Sequence, residues 1–262
     1  MILRNTDLVA LAIKRGQFPQ YVYRYRPLND KTYDELSEGY LWFSNVYSYN
    51  DPFEGILKFD TDSSEEELIN YIKNADHGKE FSANQIQNFV HQWKKNPDEL
   101  NSSLNKIKKD LYTKTGICSL TTQPTNILMW SHYADKHTGV CIKYDLEKLI
   151  SPGITPIKVD YTNEYPKFNY IKEWKDTLKL GLESFQKKST DWTYEQEYRL
   201  VAINGCGKYG LKRNSILEVI GGSKCDTESI EKIKKSISLN LYQHPIIKRA
   251  SLMENKFGIQ ID

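Results

Sequence analysis

Residues 191–200, DWTYEQEYRL, set two carboxylates, Glu195 and Glu197, two positions apart and follow them with Arg199. Three aromatics crowd the acids: Trp192, Tyr194 and Tyr198. A strand carries alternate residues on one face, so the spacing predicts Glu195, Glu197 and Arg199 on one side and Tyr194, Tyr198 and Leu200 on the other. A carboxylate held by such neighbours can touch a ribose hydroxyl or stabilise a developing cation, and it speeds a reaction only if it acts more strongly in the transition state. The competing reading is an ion-paired face in solvent, which is what most charge rows are.

Three further stretches set polar residues among aromatics, as clefts for polar ligands do. In YRYR (23–26), Arg24 and Arg26 leave one strand face and Tyr23 and Tyr25 the other; an arginine fork fits a phosphate bidentately, whereas an exposed pair only decorates a surface. In LWFSNVYSYNDPFEG (41–55), Asn50 and Asp51 read as loop formers that bond their own backbone, with Pro52 fixing the turn. Glu54 is expected to pair with an arginine, and Ser44 and Asn45, at a strand end, to face a ligand together with Phe53. In MWSHYADKHTGV (129–140), helical spacing gathers Asn126, Trp130, Tyr133 and His137 near one side, with Met129 and His132 beside them. Trp130 and Tyr133 there suit stacking on a flat heterocycle; the alternative is a helix packed on a sheet by its tryptophan, with His132 a satisfied core histidine. No second His or Cys stands near His132 at ligand spacing, so no metal is expected.

The elements that must position these residues follow from pattern. YVYRYRP (21–27) reads as a strand ended by Pro27, NDKTYDELSEG as a short helix stopped at Gly39, and YLWFS (40–44) as a second strand. From about Ser63 to Thr115 the pattern turns helical and charged, a helical insertion with Lys-rich solvated faces. GICSLTT (116–122) returns to strand, residues 125–135 read as a helix capped by Thr125, and residues 137–145 as a strand with Val140, Ile142 and Tyr144 on one face. Residues 154–161 follow as a strand, 167–188 as one long amphipathic helix, and 195–203 and 215–222 as strands. A capped helix from DTESIEKIKKSISLN and two closing strands complete the chain. Strands that do not alternate one-for-one with helices predict an α+β fold with a mixed or split central sheet, in one domain over residues 1–262 with the insertion at about 63–115.

Bulk properties bound the class. The 262 residues suffice for a sizeable core; 39% are hydrophobic and 27% charged. With 36 basic against 34 acidic residues, any nucleic-acid grip would have to be local. Cys118, Cys141, Cys206 and Cys225 form no close pair, the start lacks a signal-peptide pattern, and no apolar run spans a bilayer, so a cytoplasmic protein with free thiols and no membrane partner is expected.

Taken in order, YVYRYRPL, LWFSNVYSYNDPFEG, CSLTTQPTNILMWSHYADKHTGVCIKYD, VDY and WTYEQEYRLV resemble the bacterial family called domain of unknown function 2971, from about Tyr21 to about Asp262. That family name carries no activity. More distantly, the order of a strand with Arg, a helix, a strand ending in Ser, a helical insert and a late strand with Glu-x-Glu is similar to the ADP-ribosyltransferase fold. That resemblance implies NAD as substrate, with Arg24 or Arg26 on its pyrophosphate or adenosine ribose and Ser44 beside the nicotinamide ribose. Glu197, or else Glu195, would bond the ribose 2′-hydroxyl at an oxocarbenium-like transition state, with Arg199 orienting it. The second motif departs from that fold's pattern, being WFSNVYSYN in place of a Ser-Thr-Ser run. The acceptor is left open between protein, nucleic acid and water, and the analogy extends to a toxin or anti-phage effector with an antitoxin or defence-system partner. Two rival readings stand beside it. One is a metal-dependent hydrolase or nuclease using Asp51, Glu54, His132, Glu195 and Glu197; the other is a nucleotide-binding module or sensor without chemistry.

Overall fold

The computed structural model describes residues 5–74, 81–203, 205–240 and 242–262. Residues 75–80, within the expected helical insertion, lie outside the described residues, as do residues 1–4.

The fold is mixed α/β, built on a large mixed sheet. Eight strands run in the order Ile259–Ile261, Ile246–Leu252, Ile216–Gly221, Val140–Asp145, Tyr21–Arg26, Gly116–Thr121, Glu197–Ala202, Ile154–Lys158. All neighbours are antiparallel except Ile216–Gly221 with Ile246–Leu252. Tyr21–Arg26 is in register with Val140–Asp145 from Tyr21↔Asp145 to Arg26↔Val140. It meets Gly116–Thr121 at the single register pair Tyr23↔Thr121. The sheet therefore opens between these two central strands.

Alternation along the first strand loads the two faces differently. Val22 joins Leu36, Phe43, Leu120, Ile142 and Leu200 in the larger core, beneath the helices Asp30–Glu38 and Thr227–Ser238. Tyr25 turns to the other face and packs with Met129, Trp130 and Ile220 under the helix Ile127–Tyr133. Asn29 caps the Asp30–Glu38 helix through Thr32 N, and Gly39, at φ 71°, ends it in the left-handed conformation that costs glycine least. A helix that the sequence reading did not assign, Asn5–Lys14, precedes the first strand.

Helices Glu65–Asn74, Ala83–Lys95 and Pro97–Lys114 build a separate apolar cluster from Leu68, Ile72, Ile86, Val90, Leu100 and Leu104, closed by Ile171. Ile171 belongs to a region expected to be one helix, and here the structure corrects the reading. Residues 167–188 form a strand, Lys167–Phe168, two short helices, Tyr170–Glu173 and Thr177–Phe185, and a strand, Lys187–Lys188. Asn169 and Asp176 are the reason: each side chain accepts from a backbone N–H three residues on, which starts a new helix instead of continuing an old one. Asn169 also donates to Asp62 O, tying the break to the loop that leads into the helical cluster.

Three smaller corrections concern element boundaries. Asn126, and not Thr125, caps the Ile127–Tyr133 helix by accepting from Met129 N. Residues 154–161 split into Ile154–Lys158, in the main sheet, and Asp160–Tyr161, which pairs in parallel with Lys187–Lys188. The strand expected from residue 195 starts at Glu197, because Glu195 ends the 3₁₀ helix Thr190–Glu195. No helix among the described residues is long and apolar enough to cross a membrane.

Candidate functional site

The opening in the sheet is a cavity of about 410 Å³. Arg24 and Arg26 line it from the first strand, Ser44 from the end of Tyr40–Phe43, and Ser119 from Gly116–Thr121. His132 and Tyr133 line it from the Ile127–Tyr133 helix, and Glu195 and Glu197 from the start of the Glu197–Ala202 strand. Tyr23, Tyr49, Asn50 and Lys188 complete the parts of the wall that matter chemically.

At one end the arginines share Glu35. Arg26 Nη2 donates to Glu35 Oε1 at 3.0 Å, and Arg24 Nη1 lies 3.6 Å from the same oxygen. Arg24 Nη2 donates to Trp42 O at 3.2 Å. Burial, and then the neighbouring Arg24 charge, lowers the Arg26 guanidinium from its ordinary range. Arg24 Nη1, Arg26 Nε and Glu35 Oε2 are buried without a hydrogen-bond partner. Two guanidinium groups against one carboxylate leave one positive charge unmatched.

At the other end three carboxylates surround two cations. Lys188 Nζ lies 2.6 Å from Glu195 Oε2, 3.0 Å from Glu197 Oε2 and 3.3 Å from Glu54 Oε1. Arg199 holds Glu197 at both oxygens, Nε to Oε1 at 2.8 Å and Nη2 to Oε2 at 3.1 Å, and reaches Glu54 Oε1 at 2.8 Å. Its remaining fork atom donates to Phe185 O. The side chains are 1 to 8% exposed. The solvated-face reading of Glu195, Glu197 and Arg199 is thereby corrected: the row is buried, and its charges are stabilised by one another and not by water.

The chain geometry explains how. Gln196 adopts the left-handed region at φ 43°, which turns the backbone between Glu195 and Glu197. The two acids reach the same ammonium from a 3₁₀ helix and from a strand, not from one strand face. Thr121 Oγ1 bonds Glu195 O, and Gln123 Nε2 donates to Gln196 Oε1 at 2.6 Å, which fixes the turn. Glu197 N donates to Tyr161 OH at 2.9 Å, and the Asp160–Tyr161 ladder brings Lys188 alongside.

The environments of the two acids differ. Burial pushes Glu197 up, but Arg199 and Lys188 outweigh it and hold the carboxyl down at about 2. Burial dominates at Glu195 and pushes it above the ordinary carboxylate value, against Lys188. Tyr133 OH donates to Glu195 Oε1 at 2.6 Å, and its own ionisation is pushed up by burial and then by that carboxylate. The site thus holds one carboxylate kept charged and one that takes a proton more readily.

The remaining expected residues divide plainly. Tyr23, Arg24, Arg26, Ser44, Asn50, His132 and Tyr133 come together on the cavity. Ser44 is held there by a two-way backbone bridge to Ile117, at 2.9 and 2.8 Å. Asn45 does not face the cavity; it accepts from Tyr47 N and donates to Tyr112 O, a cap and a tether. Asp51 accepts from Phe53 N, the loop-forming role, and both residues line a different cavity. Glu54 pairs with Arg199 and not with Arg24 or Arg26. Trp130 is fully buried, meets Tyr25 edge-on at 5.0 Å and donates from its indole to Pro124 O, so it packs the helix on the sheet and offers no face to a ligand. His132 is exposed and not a core histidine. Among the described residues no open group of three His, Cys, Asp or Glu could hold a metal ion, and the three glutamates close on Lys188 and Arg199 instead. Lys188, Glu35, Tyr49 and Ser119 were not expected at the site, and Lys188 carried no local signal, standing at the end of a stretch that reads as helix.

Residues 129–200 match the family described as Protein of unknown function (DUF2971). The DUF2971 match covers well under half of the 262 residues and supports the resemblance to that family. It runs from Met129 to Leu200 and so contains His132, Tyr133, Lys188, Glu195, Glu197 and Arg199, while Arg24, Arg26, Ser44 and Glu54 lie outside it. No curated protein and no solved structure matches the chain.

Proposed function

We propose that the cavity between the Tyr21–Arg26 and Gly116–Thr121 strands binds NAD as a substrate, and that the chain transfers or hydrolyses its ADP-ribose unit in the manner of an ADP-ribosyltransferase. The observation that carries this reading is a buried carboxylate held ionised, Glu197, lining the same cavity as Arg24 and Arg26 with their unmatched positive charge. Arg24 and Arg26 suit the pyrophosphate, since guanidinium forks bond phosphate oxygens in pairs. Ser44 suits the nicotinamide ribose. The bond between ribose C1′ and the nicotinamide nitrogen breaks, nicotinamide leaves with the electron pair, and positive charge grows on the ribose. Glu197 opposes that charge without having to lose a proton first. The acceptor then bonds C1′ and releases a proton, for which Glu195, with its raised carboxyl, is the receiving group. Protein, nucleic acid and water all fit the acceptor role.

One observation favours a second reading, a nucleotide-binding module without chemistry. Both Glu197 oxygens already accept hydrogen bonds, Oε1 from Arg199 and Oε2 from Arg199 and Lys188, so little acceptor capacity is left for a ribose hydroxyl.

Nicotinamide release from NAD by wild type and Glu197→Gln, with NAD binding measured beside it, tests both. Loss of turnover by about a hundredfold or more in Glu197→Gln with binding retained supports the transferase, by analogy with the removal of one preorganised electrostatic partner. Arg24→Gln should weaken NAD binding by about tenfold or more, the worth of a charge-assisted bond. Binding without turnover in the wild type moves the assignment to the module. Absence of NAD binding sinks the transferase, and absence of binding by other nucleotides as well sinks the module.

A further inference from the structure

A second cavity, of about 570 Å³, shares Lys188 with the first. Four aromatic rings line it among polar residues: Phe53 from the loop after Pro52, Tyr165 from the loop before Lys167–Phe168, and Trp192 and Tyr194 from the 3₁₀ helix that leads to Glu195. Phe53 and Tyr165 are 56% and 43% exposed, and their planes lie within 26° of parallel with centroids 6.4 Å apart. Large aromatics left that open, facing one hollow, are poor choices for a surface that binds nothing.

Charge decides what the hollow accepts. Lys188 is consumed by three glutamates, and Lys187 Nζ is bonded to Asp160 Oδ2 at 2.6 Å. Lys188 Nζ also stands 5.0 Å from the Trp192 ring centroid, so the interior has flat faces and, among the described residues, no unpaired cation, which suits an uncharged ring and not a phosphate. Glu164 and Asp191, exposed carboxylates on the wall, offer acceptors that suit ring amino groups. Free cations lie just outside. Lys58 Nζ stands 4.9 Å from the Tyr165 ring centroid, and Lys58 is the register partner of Lys167. Both lysines are exposed, and neither is in an ion pair among the described residues. Rings inside with lysines beside them is the arrangement that stacks a base and tracks its backbone.

We propose that this second cavity binds a nucleobase, with the attached phosphates lying against Lys58 and Lys167. The near-neutral chain has no broad basic face, so the grip is local to one or a few nucleotides. The site is separate from the arginine-lined cavity, and the proposal needs no turnover of NAD.

Fluorescence anisotropy with short labelled single-stranded DNA and RNA, beside competition by nucleoside monophosphates, tests it on the full chain. Oligonucleotides should bind at low salt. Trp192→Ala and Phe53→Ala should each weaken binding about tenfold, as removal of a stacking partner does, while Trp192→Phe keeps most of it. Lys58→Glu with Lys167→Glu, both on the surface and checked for an unchanged fold by circular dichroism, should weaken all sequences alike and flatten the salt dependence. Arg24→Gln should leave this binding intact. Competition by monophosphates supports the site with free nucleotides as its source, and binding of oligonucleotides alone supports it with a nucleic-acid strand as its source. No binding of either at low salt overturns the proposal, as does binding that survives Trp192→Ala and is lost in Arg24→Gln.

Discussion

Glu195 and Glu197 each present an oxygen to one ammonium, at 2.6 and 3.0 Å from Lys188 Nζ, although a left-handed Gln196 separates them in the chain. Two buried carboxylates this close repel unless a cation stands between them. With Glu54 the cluster holds three acids against Lys188 and Arg199, so it carries one net negative charge and depends on both cations.

Removal of one cation from such a cluster is costly, because the charges left behind have lost water as well as their partner. Lys188→Met is expected to lower unfolding free energy by about 3 kcal/mol or more. Lys188→Arg, which keeps the charge, should lose distinctly less. Urea unfolding of the three proteins at neutral pH checks this, and a Met variant as stable as wild type would contradict the charge arrangement.

Acid should act through Glu197. Its folded carboxyl, at about 2, lies below the ordinary value of 4.5, so it contributes stability that is present above 4.5 and is lost as pH falls toward 2. Glu195 has the opposite sign, since its raised folded value favours the folded state below the ordinary carboxylate value and ceases to as pH rises. Stability measured from pH 6 down should therefore fall along a limb that flattens in Glu197→Gln and steepens in Glu195→Gln. The groups facing Glu197 are Arg199, Lys188, Glu195, Ser119 and Tyr161, so the same limb should be sensitive to Lys188→Met.

Trp130 should matter to folding and not to ligand. Trp130→Ala opens a hole beside Tyr25, Met129 and Ile220 and is expected to cost about 3–5 kcal/mol. At a temperature where the variant is folded, its NAD affinity should equal that of wild type, measured calorimetrically; a selective loss of affinity would return the indole to the ligand site.

Much of the frame was legible in the chain because it is set locally. The Tyr–Arg alternation of residues 21–26 is a strand whose arginines share a face, and Gly39 stops a helix because only glycine takes its left-handed φ without strain. The same holds for the collection of polar and aromatic residues at 192–199, whose types mark a site whatever their orientation. What the tertiary structure alone decided is which of these residues meet. Arg24 and Arg26 find Glu35, Glu54 finds Arg199 instead of the first strand, and Lys188 reaches the acids only because Asn169 and Asp176 break a helix that periodicity would have continued through it. Burial made the same kind of decision for Trp130 and for the Glu-x-Glu row. A side chain's type and spacing give its chemistry and its direction from the backbone, but its charge state and its partners are set by neighbours distant in sequence, whose positions depend on how the whole sheet closes.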